Sequence, residues 1–375
     1  MQYPLRRSED EDPGRRESGL SLLVLHLMRR ILSSLFTRLV VVLAFPCLTF
    51  VSSQLHAQSA RHENEAHYAA VKAMLEQAEA DIDLASVKLA IDQMIDPSID
   101  SAAVLRQVNA ITSDVRATFP PGATSLDKFK ALRDYLHRPV PFSGRKAFVY
   151  NLDDDRNPRA KLLHVYLETH QGNCISMPLL MLIVAQKLGI PLAAATAPAH
   201  LYLKFHGDNG NWYGVEATNG GGWADDEWQK TQFPNLTPAA IANGIYMQPL
   251  TNREAAAVIA EALLEKYESE QNNVADEARV NMAILILKSY SKDVAAMVHA
   301  YWGYMGLRRR LFLDIYPQQS DIPVKLQPMY EMLERRGIYW GSKAKAFGFQ
   351  PPTAAMEAGY RARIERARAE RKSQP

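Results

Sequence analysis

The hydrophobic pattern changes period once, abruptly, between residues 175 and 216. Ile175–Leu188 is apolar on nearly every side, which describes a helix buried all round. Pro178 falls in its first turn, where a missing amide has no helical acceptor to lose, and Gly189 and Pro191 follow its end. Leu192–Thr196, His200–Phe205 and Trp212–Thr218 then read as strands, with Gly207-Asp208-Asn209-Gly210 as a hairpin loop. A buried helix running straight into a short antiparallel meander predicts an α+β core, with that helix packed on the sheet.

Helical spacing extends on both sides of this core. Ala69, Val71, Met74, Leu75 and Ala78 recur at helical intervals, and Leu84–Met94 and Val104–Val115 follow. Pro120-Pro121-Gly122 breaks the run before a helix over Leu126–Leu136, which Pro139–Pro141 ends. Residues 142–160 are polar and read as a surface loop. Asp153-Asp154-Asp155 within it reads as a solvated acidic run, because no liganding Gly or Glu follows at loop spacing. Leu162–Glu168 is a short helix. Beyond Thr251 the pattern predicts helices over Ala255–Tyr267, Ala275–Tyr290, Val294–Leu311 and Val324–Arg335, stacked hairpins loosely like tetratricopeptide units but without a clean period. The expected organisation is a helical N-terminal region over 58–120, the core over 121–250, helices over 251–360 and a solvated helical basic tail over 361–375.

Residues 1–57 stand apart. Arg29, Arg30 and Arg38 precede the apolar run Leu39–Val51, and small and polar residues follow. That is the order of a secretory signal over about 28–57, with Met28 as the start and cleavage after Ser53 or Ala57. The run is short for a membrane span, which needs about 20 residues. An uncleaved N-terminal anchor is the competing reading and the single membrane contact expected; Cys47, after Ala44-Phe45-Pro46, sits in a poor lipoprotein context. A periplasmic or secreted location follows. The 43 basic and 41 acidic side chains leave a charge of +2, which argues against a nucleic-acid-binding surface. Removing the export segment takes seven basic and five acidic residues and balances the signs. It also removes Cys47, so Cys174 is the one thiol left and cannot form an internal disulfide.

Cys174 lies at the start of the buried helix, after the Gly172-Asn173 turn. Unpaired amides and the helix dipole at that position favour an anion, and those amides, its own included, can hold a developing oxyanion. A nucleophilic thiol also needs a proton acceptor and a group to orient it. His200 and Glu216 stand on two strands of the meander. A hairpin symmetric about Asp208 places them directly opposite, Cβ atoms about 4.5–5.5 Å apart. An odd loop such as Gly207–Asn209 gives this pairing, whereas a tight Asn209-Gly210 turn pairs Glu216 with Leu203 and turns it to the other face. Each residue also has a structural reading: Cys174 a small core hydrophobe, His200 a packed strand residue, Glu216 a sheet-edge carboxylate. No cofactor or metal is expected. Gly220–Gly222 lacks the lysine and helix start of a phosphate loop, and His164 and His170 are six apart with no second cysteine.

The stretch LLHVYLETHQGNCISMPLLMLIVAQKLGIPLAAATAPAHLYLKF over Leu162–Phe205, with WYGVEATNGG after it, resembles the bacterial transglutaminase-like superfamily, SirB-type branch. The resemblance covers about residues 80–250 and is specific around Gly172-Asn173-Cys174, Ala199-His200 and Glu216-Ala217-Thr218. It implies a papain-like α+β core with a Cys-His-acid triad: Cys174 as nucleophile, His200 as base and Glu216 as orienting acid. Two positions depart from the family pattern, Ala199 where Gly is usual and Glu216 where Asp is usual. The branch also includes members without the cysteine.

Together these readings predict an exported cysteine-dependent acyl-transfer enzyme that hydrolyses a peptide or amide through a Cys174 thioester. Trp212, Tyr213 and Trp223 are candidates for the cleft wall, and the C-terminal helices for a protein partner. The alternative is a non-catalytic periplasmic binding or scaffold protein, which predicts an unreactive Cys174 and no need for His200.

Overall fold

The structure, a computed structural model, describes residues 54, 56–138, 146–152 and 157–373. The expected export segment up to Ser53, Cys47, Pro139–Pro141 and Asp153–Asp155 lie outside the described residues. The chain divides into two compact units, 1–62 and 63–375. In the first, the described residues are helical.

The second unit opens with helical residues 63–75 and then α1 (Leu84–Ile95), α2 (Ser101–Ala117) and α3 (Ser125–His137). Side chains cap each of the three: Asp83 accepts from Ala85 N, Asp100 from Ala103 N, and Thr124 forms a reciprocal capping box with Asp127. The Pro120-Pro121-Gly122 break separates α2 from α3 as expected. The expected loop over 142–160 instead contains β1 (Val149–Tyr150), which pairs in parallel with β2 (Gln171–Gly172), just after α4 (Leu163–Thr169). Two residues carry no periodicity. What places them is Phe148, buried against Tyr166 and stacked on His170 at 4.0 Å.

Helix α5 (Ser176–Leu188) is central to the core of this unit, with a continuous set of buried residues from Ser176 to Ala185. It packs on an antiparallel sheet of order β3-β4-β5-β6, formed by Leu192–Ala197, His200–His206, Trp212–Glu216 and Gly222–Trp223. Leu201, Leu203, Phe205 and Val215 share the face that joins the main core; Phe129 of α3 meets Phe205 and Trp223 at 5.1 Å each. The other face carries His200, Tyr202, Lys204 and Glu216. Helix α6 (Asp226–Gln232) covers it, with Lys204 on the Asp226 carboxylate at 2.9 and 3.2 Å. The free edge of β3 is blunted by residues 247–250, whose Met247 and Leu250 amides bond Thr196 and Ala194.

The short α7 (Pro238–Ala242) leads to α8 (Asn252–Glu270), α9 (Asn273–Ser289), α10 (Val294–Arg308) and α11 (Gln327–Ala346), each packed on its predecessor. The whole is mostly helical with a small antiparallel sheet, consistent with α+β. The tail over 361–375, read as helical and solvated, continues helix α12 (Ala354–Ser373), and two of its arginines reach back to the body: Arg363 bonds Gln232, and Arg368 bonds the Leu152 carbonyl. A run of exposed basic residues reads as solvated in a sequence because guanidinium bonds to distant backbone oxygens leave no local pattern.

Candidate functional site: a thiol, an imidazole and a buried carboxylate

Cys174 sits two residues before α5, half-buried, and its position is set by its neighbours. Gly172 is hemmed in: a Cβ there would lie 2.6 Å from the Tyr166 ring and 2.7 Å from Met177 Cγ. Asn173, itself buried, accepts on Oδ1 from the amides of Ile175 (2.9 Å) and Ser176 (3.0 Å), while its own amide donates to Ser176 Oγ at 3.0 Å. The Met177 amide goes to the Asn173 carbonyl. This corrects the expectation of several open amides at the helix start. Of the amides from Cys174 to Met177, those of Ile175, Ser176 and Met177 are consumed in fixing the turn, and among the described residues that of Cys174 is given no acceptor.

His200 begins β4, and its backbone pairs with Ala197 across a turn of Pro198 and Ala199. Ala199 has φ +54°, the left-handed region in which a Cβ is unfavourable, so a glycine would suit this position on backbone grounds. The imidazole is mostly buried (12% of the side chain exposed) and lies against Phe233 with ring centroids 5.2 Å apart.

Glu216 ends β5. The hairpin register pairs Leu203 with Val215 and His206 with Trp212, so the loop is the odd one over 207–211, centred on Asn209 rather than Asp208. Continued to the strand end, that register sets Glu216 across from Tyr202, not His200. The two residues still share a face, because a shift of two preserves the alternation. A diagonal neighbour lies about 7–8 Å away, and the extra methylene of Glu over Asp helps to cross that gap. His200 Nε2 donates to Glu216 Oε2 at 2.8 Å. The other carboxylate oxygen accepts from Thr218 N (3.0 Å) and Thr218 Oγ1 (2.6 Å), and Gln229 Nε2 reaches Oε2 at 3.4 Å.

The structure therefore brings all three sequence-predicted residues together. With Nε2 engaged by Glu216, Nδ1 is the nitrogen left for the Cys174 side chain, whose hydrogen bond and charge act on the ring. Burial pulls the imidazole pKa down, but hydrogen bonds and charge from Cys174 and Glu216 outweigh it and raise the pKa to about 9. Burial likewise pushes the Glu216 carboxyl up, yet His200 and Thr218 together hold it below its ordinary value. A protonated imidazole against the Glu216 carboxylate is the arrangement these shifts favour. Chemically such a ring can supply one proton at Nδ1, the nitrogen facing the Cys174 side chain.

Asn173, Thr218, Gln229 and Phe233 were not legible as site residues. Gln229 and Phe233 come from an unpredicted helix and the residue after it, and only the fold brings them to the sheet. The proposed aromatic wall does not hold. Trp212 lies on His206, about 20 Å down the strand from His200 at about 3.3 Å per residue. Tyr213 and Trp223 join the Phe129–Phe205 cluster on the opposite face. Among the described residues no group of three or more His, Cys, Asp or Glu side chains is arranged to hold a metal ion.

Residues 102–260 match the transglutaminase-like superfamily. The chain thus carries a transglutaminase-like domain that runs from the first turn of α2 into α8 and encloses Cys174, His200 and Glu216. Among curated proteins it is similar to a UPF0162 protein of Xylella fastidiosa strain Temecula1, 24% identical over 204 residues, 52% of this chain and 70% of the relative. It is also similar to a UPF0162 protein of Xylella fastidiosa strain 9a5c, 32% identical over 83 residues, 22% of this chain and 27% of that relative. A solved structure of menin, described as revealing the binding site for Mixed Lineage Leukemia (MLL) protein, overlaps with a TM-score of 0.35. Its identity is 14% over 65% of each chain, and so low a likeness says nothing of function here.

Proposed function

We propose that this protein is an exported, cysteine-dependent acyl-transfer enzyme of the SirB-type branch that hydrolyses a peptide or amide bond. One observation carries the reading: a half-buried thiol beside an imidazole whose far nitrogen is fixed at 2.8 Å by a buried carboxylate. The transglutaminase-like domain supports it. The Cys174 thiolate attacks the carbonyl carbon, and the oxygen takes up the negative charge beside the Cys174 amide. The leaving amine takes the proton from His200, and a thioester remains. Water then adds with His200 as base, the thioester opens, and the thiolate returns. Glu216 keeps the ring oriented and stabilises its charge. Export, with the signal over about 28–57, is part of the proposal.

The test is the pH dependence of Cys174 alkylation in the full chain, read from the mass of its peptide, with and without His200→Ala. Fast alkylation persisting well below pH 8 and lost in the variant is the expected result. A profile that follows an ordinary thiol near pH 8.5 in both proteins would overturn it. The scaffold reading draws on a different observation, the exposed Trp302, Ile338 and Tyr339 on α10 and α11, which could serve a partner whether or not the thiol reacts.

A further inference from the structure

The C-terminal helix returns to the body of the protein at places that border the thiol site. It is led in by residues 347–350, whose carbonyls at Phe347, Gly348 and Gln350 are held by Asn243, Thr237 and Asn235 at 3.2, 2.8 and 3.1 Å. Pro351 and Pro352 stop the chain there, and Thr353 starts α12 afresh, accepting from Met356 N. From α12, Arg363 clasps Gln232 at both its side-chain oxygen (3.1 Å) and its carbonyl (3.2 Å), and Arg368 bonds the Leu152 carbonyl.

Each anchor lies next in the chain to a residue tied to one side of the thiol–imidazole pair. Gln232 precedes Phe233, whose ring lies on His200. Leu152 follows Asn151, whose amide bonds the Gly172 carbonyl at 2.7 Å, and Cys174 is two residues beyond that glycine. Five residues separate the two arginines, an axial rise of about 7.5 Å. The span of helix between them therefore links the segment next to the imidazole's Phe233 neighbour with the segment bonded two residues before the thiol.

The manner of attachment matters as much as the path. Among the described side chains of α12 none is buried, so the helix is fastened at polar tips with no apolar face committed to the core. Elements held in this way open locally at a small fraction of the global unfolding free energy.

We propose that α12 is a detachable strap across the Cys174–His200 cleft, which restricts large substrates until it lifts. The proposal rests on the reading of Cys174 and His200 as a reactive pair and names the regulation of that site. The test compares the full chain with Arg363→Ala/Arg368→Ala and with a chain ending at Pro352. Cys174 modification is followed at one pH with iodoacetamide and with a bulky polyethylene-glycol maleimide. In both variants the bulky reagent should react at least 10-fold faster than with the full chain, the small one less so, with melting temperature nearly unchanged in the double substitution. Equal rates for the bulky reagent in all three proteins would overturn the strap. The two hypotheses fail separately. Reactivity set free by the arginine changes but following an ordinary thiol pH profile keeps the strap and removes the enzyme; a His200-dependent acid-side profile with no effect of the arginines does the reverse.

Discussion

Two buried ion pairs lie in the same compact unit, and they differ in what each leaves open. Lys88 and Asp92, one turn apart on α1, are 2% and 0% exposed and pair directly. Lys88 also donates to the Lys161 carbonyl at 2.9 Å, and Asp92 accepts from the Leu163 amide at 2.8 Å, so the pair caps the start of α4. Both Asp92 oxygens are engaged by the protein's own framework. His200 and Glu216 are buried almost as well, but only the carboxylate end is closed by Thr218 and Gln229. The imidazole keeps one nitrogen turned to a thiol. Burial of charge marks a place where the fold is tightly specified; a donor left beside a nucleophile is what marks chemistry.

The largest effect expected from breaking this contrast is on reactivity. His200→Ala should slow Cys174 alkylation at pH 6 by about 10²-fold, since an ordinary thiol near 8.5 is then almost wholly protonated. A rate unchanged at that pH would mean that the ring does not hold the thiolate. Asp92→Ala should instead cost about 3–5 kcal/mol of stability, because it strands a buried ammonium. Denaturant melts would show this, and the shape of the alkylation profile should not move. If the profile moved as well, the two pairs would not be independent.

Glu216→Asp is a finer probe. The shorter carboxylate should lose the diagonal reach to His200, a charge-assisted bond worth about 1.5 kcal/mol, or roughly 10-fold. With less support the imidazolium should titrate lower, so the alkaline limb of the wild-type profile, expected near pH 9, should move down. An Asp variant with the wild-type limb would show that the backbone closes the gap.

The stability profile carries the same signature with its own sign. His200 has a raised pKa, so its contribution is complete below 6.5 and disappears as pH rises through about 9. Glu216 has a lowered pKa, so its contribution is complete above 4.5 and disappears as pH falls through the depressed value. Both are whole between about pH 4.5 and 6.5, and His200→Gln/Glu216→Gln should flatten the melting-temperature curve on either side of that window. The smallest effect is at Ala199. Replacing it with Gly should stabilise by ~0.5–1 kcal/mol, because the position has φ +54° and loses its Cβ penalty. A destabilised variant in a thermal melt would show that the turn is not strained.

Much of this was legible in residue order. The α5 apolar run, the three main strands of the meander and the C-terminal helices each carry a period set by their own backbone, so local pattern suffices to place them. Cys174, His200 and Glu216 could be nominated from the chemistry of a thiol at a helix start with an imidazole and a carboxylate on paired strands, and from the family resemblance of the stretches that hold them. The alternation of a hairpin fixes which face a residue takes, although it left open whether the loop centred on Asp208 or Asn209. What pattern could not decide is every contact made across the chain. Gln229 over the carboxylate, Phe233 on the imidazole, Asp92 at the head of α4, Arg363 on Gln232 and Arg368 on the Leu152 carbonyl are all such contacts. Periodicity is a property of neighbours a few residues apart. A hydrogen bond between residues tens or hundreds of positions apart depends on where packed layers bring their ends, and only the tertiary structure determines that.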